Sequence, residues 1–477
     1  MTLQASTTSS QPQDLAGDQA VHAFLAEHLP HLVAELSEWV RIPSVAGSER
    51  DPALMHSAHW PAGTLTDLGF PRVELWMAGE SPAVFAEWIV DPAAPTVLVY
   101  SHHDVRAVKP QNWDETEPFE PVVRRGRLYG RGASDAKGQV LAHLWGLRAH
   151  LLGRDAPAVN LRFLVEGEEE LGSPMLSTLV EEHAEDLAAD LVVFSDTTLW
   201  RADHPAACTS VRGMISASIE VHGPTKDIHS GAASGSVPNS AVELAKLLAA
   251  LLDEDGRIAL PDFYDDVSPI EEERRRELED LPFTQEDWLT RSHSRAIAGE
   301  TGFTVLEQLW ERPSVEVTAM ISGDPIGPSR AAIPAVANAS LSFRIVEHQR
   351  PERVADQIRR WVHATLPDTV EVVVEVSEES AQLPYRTPPG PALDALDAAM
   401  RRGFRVPEVG RMGNAGGGPA ELLARTAEAP VVFFGTGLIE DDWHDSDESV
   451  HLATLLDGAA TMAFYWESLP AALADRG

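Results

Sequence analysis

His102 and Asp104 stand two apart at the end of an apolar run, residues 97–100, in the stretch VLVYSHHDV. In an extended chain, positions two apart point to the same side. An imidazole and a carboxylate on one side suit a metal ligand and the acid that orients it. Further on, Asp135 lies among Gly130, Gly132 and Gly138 in RLYGRGASDAKG. Glycines at such spacing let the backbone crowd close to something. Three more apolar runs end the same way. Residues 160–165 lead into Glu166, Glu168, Glu169 and Glu170, and residues 191–194 lead into Ser195 and Asp196. Residues 431–434 lead through Gly435-Thr436-Gly437 to WHDSDE and its His444. Two imidazoles and several carboxylates without a thiol suit zinc, manganese or cobalt. They are too many for one ion and about right for two that share a carboxylate.

Each of these signals has a bland alternative. A His-x-Asp is common, a run of Glu is usually a solvated turn, Asp196 could cap a helix, and His444 could be a surface histidine. Taken together, the bland alternatives require four separate strand ends to carry ligand-type side chains by accident. In open α/β sheets the crevice outside the carboxyl ends of the strands is where ligands bind. Parallel pairing of these strands would bring the ligands together.

The elements that must position them follow from hydrophobic spacing. Residues 18–40 and 54–69 read as helices, the first with a possible break at Pro30, and 73–89 as two strands around Gly79. Apolar strands then alternate with helical segments, among them 137–152, which predicts a mostly parallel α/β sheet. After Cys208 the texture changes. Strands are predicted at 214–221, 315–321, 337–345 and 370–376, with helices at 240–252 and 352–366. That β-α-β-β-α-β order is the ferredoxin-like pattern. The charged stretch 271–280 reads as a solvated helix. Residues 392–402, 431–434 and 452–469 return to the first texture. The expected domains are a disordered tail over 1–17, a catalytic domain in two parts, 18–209 and 386–477, and an inserted lid or dimerisation domain over 210–385.

The chain has 477 residues, a formal charge of -37 and one cysteine. That charge argues against nucleic acid, whose phosphates need Lys and Arg, and against anionic membrane surfaces. No apolar run approaches the roughly 20 residues of a membrane span, and the first residues do not read as a secretory signal. A single cysteine, expected to be a buried small hydrophobe, excludes an internal disulfide and fits a reducing cytoplasm.

The motifs YSHHDV (100–105), WDETEPFEP (113–121), LYGRGASDAKGQ (128–139), EGEEELGS (166–173), VRG (211–213), KDIHSG (226–231), FYDDV (263–267), SFRIV (342–346) and WHDSDE (443–448) resemble, in order, one known family. It is the dinuclear zinc peptidases related to aminoacylase, acetylornithine deacetylase and carboxypeptidase G, and the carnosinase-like non-specific dipeptidases are the nearest branch. The resemblance implies a zinc held by His102, Asp135 and Asp196 and a second by Asp135, Glu170 and His444, with Mn2+ or Co2+ as possible substitutes. It implies that Asp104 orients His102, that Glu169 is the general base and that His229 binds the scissile carbonyl. Arg344 would pair with the substrate's free carboxylate; a salt bridge inside the inserted domain is the rival reading for that residue. The implied substrate is a dipeptide or short peptide, and the implied assembly is a homodimer through the inserted domain. Deacylation of N-acyl amino acids is the nearest alternative, and a non-catalytic scaffold the remote one. The chain departs from the family at Ser101, where glycine is usual, and at Ala136, where the branch often has a second Asp. The branch also carries a Gly-Gly-Ser-Ile-Pro turn that binds the substrate carboxylate. Here the turn runs from Arg411 to Pro419, with Gly417 and Gly418 at the binding positions and no hydroxyl.

Overall fold

A computed structural model describes residues 12–47, 52–324, 326, 328, 330–378 and 380–474. The chain divides into two compact units. The first comprises Met1–Cys208, Thr387–Arg411 and Leu422–Gly477, and the second Thr209–Arg386 and Met412–Glu421.

The first unit is built on a 6-stranded sheet. Its strands lie in the order Arg72–Ala78, Ser81–Trp88, Asn160–Glu166, Thr96–His102, Leu191–Phe194, Val431–Phe433. The first two pairings are antiparallel and the remaining ones parallel. The sheet is therefore mostly parallel, as the alternation of strands and helices predicted. Val97 and Val99, Leu161 and Phe163, and Leu191 and Val193 point into one buried cluster. That two-residue period is what an extended chain imposes. The cluster is closed by the helices Pro12–Val40, Lys137–His150, Pro391–Phe404 and Leu452–Leu473. Leu98, Tyr100, Val192 and Phe194 are buried on the opposite face, which explains why these strands read as unbroken apolar runs. Pro30 sits inside the first helix without ending it. That helix begins at Pro12, within the stretch expected to be tail; residues 1–11 lie outside the described residues.

The second unit holds a 4-stranded antiparallel sheet in the order Ser314–Ser322, Val336–Ile345, Gly213–His222, Glu371–Val376. With the helices Ser240–Ala249 and Pro351–Thr365 this is the ferredoxin-like arrangement. Ile215, Ile219, Leu341 and Phe343 pack on Leu244, Leu247, Ile358 and Val362. Two expectations are corrected here. The helix Glu272–Glu279 is not simply solvated, because Arg274 and Leu278 are buried and Arg274 Nε donates to Glu311 Oε1 at 2.7 Å. Met412–Glu421, expected in the catalytic part, groups with the second unit. The reason is local: Thr209 Oγ1 donates to the Met412 carbonyl at 3.1 Å, and Arg212 N–H to that of Gly416 at 3.0 Å. Among the described residues no helix is long and apolar enough to cross a membrane.

Candidate metal centre

Parallel pairing of the strands ending at His102, Glu166, Phe194 and Phe433 places their carboxyl ends side by side. The chain leaves those ends carrying the ligand-type residues. His102 Nε2 lies 3.1 Å from Asp135 Oδ1 and 3.7 Å from Asp196 Oδ1. His444 Nε2 lies 3.0 Å from Asp135 Oδ2 and 3.1 Å from Glu170 Oε2. Asp135 thus turns one oxygen to each imidazole. His102, Glu169 and Asp196 form one group that could hold an ion, and Asp135, Glu170 and His444 another. Glu169 therefore sits at ligand distance in the first group, a proximity that the sequence reading, which made it only a base, did not foresee. Asp104 is fully buried. Its Oδ1 is 3.4 Å from His102 Nδ1, and its two oxygens accept the backbone N–H groups of Glu169 and Glu170 at 3.2 and 3.0 Å. His102 Nδ1 also lies 3.1 Å from the Asp104 backbone carbonyl, so Asp104 fixes the imidazole with its main chain and the Glu169–Glu170 turn with its carboxylate.

Local sequence explains these positions. Gly435 follows the last strand, and a Cβ there would stand 1.8 Å from the Thr197 carbonyl, so only glycine lets the two loops approach. In the loop that carries His444, the backbone is left-handed at Asp442, His444 and Asp447. Each such residue costs roughly 1–3 kcal/mol. The loop turns His444 back over Asp135 and leaves its side chain 51% exposed, while Asp135 and Glu170 are buried. The open side of the cluster is therefore the His444 side.

The electrostatics call for a cation. Burial lifts the Glu169 carboxyl, and the neighbouring Asp196 charge lifts it further, well above its usual range. Burial and the Asp135 charge raise Glu170. Burial opposes charge on His102, yet Asp104, Asp135 and Asp196 outweigh it and hold its proton well above the ordinary imidazole range. Asp135 and then Glu170 push His444 up to about 10. Four carboxylates thus face two imidazoles. Glu170 Oε2 is buried without a hydrogen bond. Buried charge of one sign needs compensation, and a divalent cation would supply it and reverse these shifts. The residues fit a metal.

The other predicted residues belong to the second unit. The first strand of that unit stops at His222, short of His229. His229 instead ends a short strand, Ile228–His229, paired with Ala332–Ile333, and is exposed. Gly231 packs on its ring so closely that a Cβ would be 2.8 Å from Cε1. Arg344 is half-buried on Val336–Ile345, with Ser314 and Met214 as cross-strand partners. It makes no ion pair among the described residues, so its salt-bridge alternative is not observed. Gly417 packs on Gln382, whose Oε1 would be 2.1 Å from an added Cβ, and Gly418 is buried beside it.

Comparison with known proteins gives the family. Residues 98–468 match the model of peptidase family M20/M25/M40. This chain belongs to that family. The peptidase is 27% identical to the rat Beta-Ala-His dipeptidase over 94% of each chain. It is 30% identical to the Cys-Gly metallodipeptidase DUG1 of Candida albicans, over 71% of this chain and 74% of that one. The structure of Sso-CP2, an M20 family metallo-carboxypeptidase from Sulfolobus solfataricus, superposes with a TM-score of 0.82 at 26% identity, covering 92% of this chain and 99% of that one. The protein is a metal-dependent peptidase.

Sequence reasoning missed several groups that the peptidase uses to build the centre. Glu448 is fully buried and accepts the N–H groups of Gly132, Ser134 and Asp135 at 2.9, 3.0 and 3.0 Å, and Arg131 Nη1 at 2.6 Å. It therefore holds the loop that presents Asp135. Its signal was present as the last residue of WHDSDE. Asp441 accepts Ser134 Oγ at 2.6 Å and pairs with Arg127, and no motif marked it. Behind the centre, His143 Nε2 donates to Ser195 Oγ at 2.5 Å, and that hydroxyl donates to the Phe434 carbonyl at 2.6 Å. His143 Nδ1 is buried without a partner.

Burial consequently holds His143 down to about 3 and His103 down to about 4. Between those values and the unfolded value near 6.5, only the unfolded chain binds the proton. Stability is therefore complete above about pH 6.5 and is lost as pH falls. In urea titrations of metal-free protein from pH 7 to 5, His143→Leu should flatten the slope increasingly as pH falls, by nearly one proton, about 1.4 kcal/mol per pH unit, toward pH 5. An unchanged slope would mean that His143 is not held neutral.

Proposed function

We propose that the protein is a dinuclear zinc dipeptidase that cleaves peptide bonds next to a free carboxylate. The observation that carries this reading is the placing of Asp135, with Oδ1 at 3.1 Å from His102 and Oδ2 at 3.0 Å from His444, as one carboxylate serving two ligand groups. His102, Asp135 and Asp196 would hold one ion, and Asp135, Glu170 and His444 the other. Zinc suits this nitrogen and oxygen donor set, and manganese or cobalt could replace it. When bound, such a pair polarises the scissile carbonyl and makes water a nucleophile near neutral pH.

The chain's own residues do the rest. Glu169 accepts the proton of the attacking water and hands it to the leaving amine. Its raised proton affinity suits the second step as much as the first. His229 donates to the carbonyl oxygen as charge develops there. Arg344 makes a bidentate clamp on the free carboxylate, with Gly417 and Gly418 alongside. Two of the relatives are named for the dipeptides β-Ala-His and Cys-Gly, which supports a small peptide substrate. The missing hydroxyl in the 416–418 turn leaves Arg344 to carry more of the carboxylate's recognition. The deciding assay compares a dipeptide panel with the matching N-acetyl amino acids, using metal-loaded enzyme. Faster cleavage of dipeptides is expected; a preference for the acyl amino acids would make the protein a deacylase.

The working unit is a homodimer in which the partner subunit's His229 completes each site. Exposure of His229, distant in sequence from every metal ligand, supports this arrangement. So does the edge strand Ser314–Ser322, where Val317, Met320 and Ile321 are exposed. Glu169→Gln and His229→Ala, each inactive alone, are expected to complement when subunits exchange. A mixed dimer has one whole site, so random re-association should restore about a quarter of wild-type activity. An exchanging mixture that stays inactive would place His229 in its own chain's site. The cytoplasm is the proposed compartment, supported by a lone cysteine, Cys208, which is buried.

A further inference from the structure

Buried arginines in this protein have carboxylate partners: Arg131 has Glu448, Arg274 has Glu311 and Arg312 has Glu300. Arg212 does not. It is 7% exposed, and among the described residues it makes no ion pair. Its Nε donates to the Ala415 carbonyl at 3.1 Å, and its Nη1 to Ser314 Oγ at 3.1 Å and to the Arg312 carbonyl at 3.4 Å. Its backbone N–H donates to the Gly416 carbonyl at 3.0 Å. A Cβ on Gly417 would stand 3.3 Å from the Arg212 carbonyl. Arg212 thus holds the 415–417 turn from its side chain and its main chain together.

The same guanidinium feels the charge of Arg344. Ser314, which it contacts, is the cross-strand partner of Arg344, so the two side chains share one side of the sheet. Burial first, and then the Arg344 charge, lower Arg212 to about 9, against a weaker pull from Glu316. Two cations brought together out of water, offset weakly by Glu316, are costly unless an anion joins them.

We propose that Arg212 is a specificity-determining positioning residue, which locks the 415–417 turn and adds a fixed second cation behind Arg344, making one recognition unit for the substrate's free carboxylate. The proposal rests on the reading of Arg344 as the carboxylate clamp. Geometry assigns the two arginines different work. Arg344 is half-buried and, among the described residues, makes no side-chain hydrogen bond or ion pair, so it can reach a ligand. Arg212 is committed to carbonyls and Ser314, so it sets the turn and the field without leaving its place.

The test compares wild type, Arg212→Met, Arg212→Lys and Arg344→Met. Each is first shown to bind metal and to unfold cooperatively. KM is measured for a dipeptide, and KI for its C-terminal amide as a competitor. Arg212→Met should raise KM for the free acid about 10-fold or more, the scale of one charge-assisted contact. KI for the amide and the metal content should stay unchanged. Arg212→Lys keeps the charge but loses the planar fork, and should fall between. Equal weakening of acid and amide, no change in either, or failure of both Arg212 variants to fold would each overturn the proposal. Arg344→Met separates the two readings. If it abolishes the preference for the free acid while Arg212→Met does not, only the role of Arg212 is lost. If it leaves that preference intact, the clamp reading falls, and this proposal with it.

Discussion

Glu169→Gln is expected to lower kcat at least about 100-fold, the usual scale for loss of a general base, while leaving metal content unchanged. Glutamine keeps the shape and one carbonyl oxygen but cannot take a proton. The pair of variants at 169 and 170 makes this decisive, because both carboxyls lie within the cluster. Glu170 Oε2 is buried without a hydrogen bond and faces His444 at 3.1 Å. Glu170→Gln should therefore lower metal occupancy, and activity with it. Elemental analysis and kcat together read both effects. Glu169 also stands at ligand distance from His102 and Asp196. If Glu169→Gln lost metal while Glu170→Gln kept metal and lost rate, the roles would have to be exchanged within the run 168–170.

Removal of metal is expected to abolish hydrolysis, and zinc, manganese or cobalt should restore it. The physical ground is the imbalance of charge. Asp135, Glu169, Glu170 and Asp196 face His102 and His444, with Arg106 Nη1 3.7 Å from Glu170 Oε2 as a further cation, and the two imidazoles hold protons in place of a metal. A metal must displace those protons, so its apparent affinity should fall as pH falls. Equilibrium dialysis between pH 8 and 6, with elemental analysis, checks the sign and should give about two ions per chain at saturation. Full activity in a preparation shown to be metal-free would end the proposal.

Much of the first unit was legible in the sequence. Runs such as 97–100 and 191–194 are apolar on every residue because both faces of a parallel sheet are covered, and no helix face needs that pattern. In the second unit, polar residues alternate with Ile215, Ala217, Ile219 and Val221, the mark of a sheet with one covered face. The ligand-type residues were legible for a related reason. A soluble chain seldom ends an apolar run in His, Asp or Glu without a use for them, and here it does so at three strand ends, while a fourth leads through Gly435-Thr436-Gly437 to His444.

What the sequence determined by itself, then, was which strands are buried and which side chains stand at their ends. Local chemistry writes both directly. Only tertiary structure decided the rest. Glu448 and Asp441 sit hundreds of residues from the loop that they hold, and nothing local distinguishes a carboxylate that accepts three backbone N–H groups from one in solvent. The placing of His229 on a separate short strand, and of Met412–Glu421 with the second unit, follows from pairing with Ala332–Ile333 and from hydrogen bonds made by Arg212 that no periodicity records. The proximity of Arg212 to Arg344 arises because Ser314 pairs with Arg344 across two strands. Pairing between distant segments is a property of register, and register is settled only when the whole sheet forms.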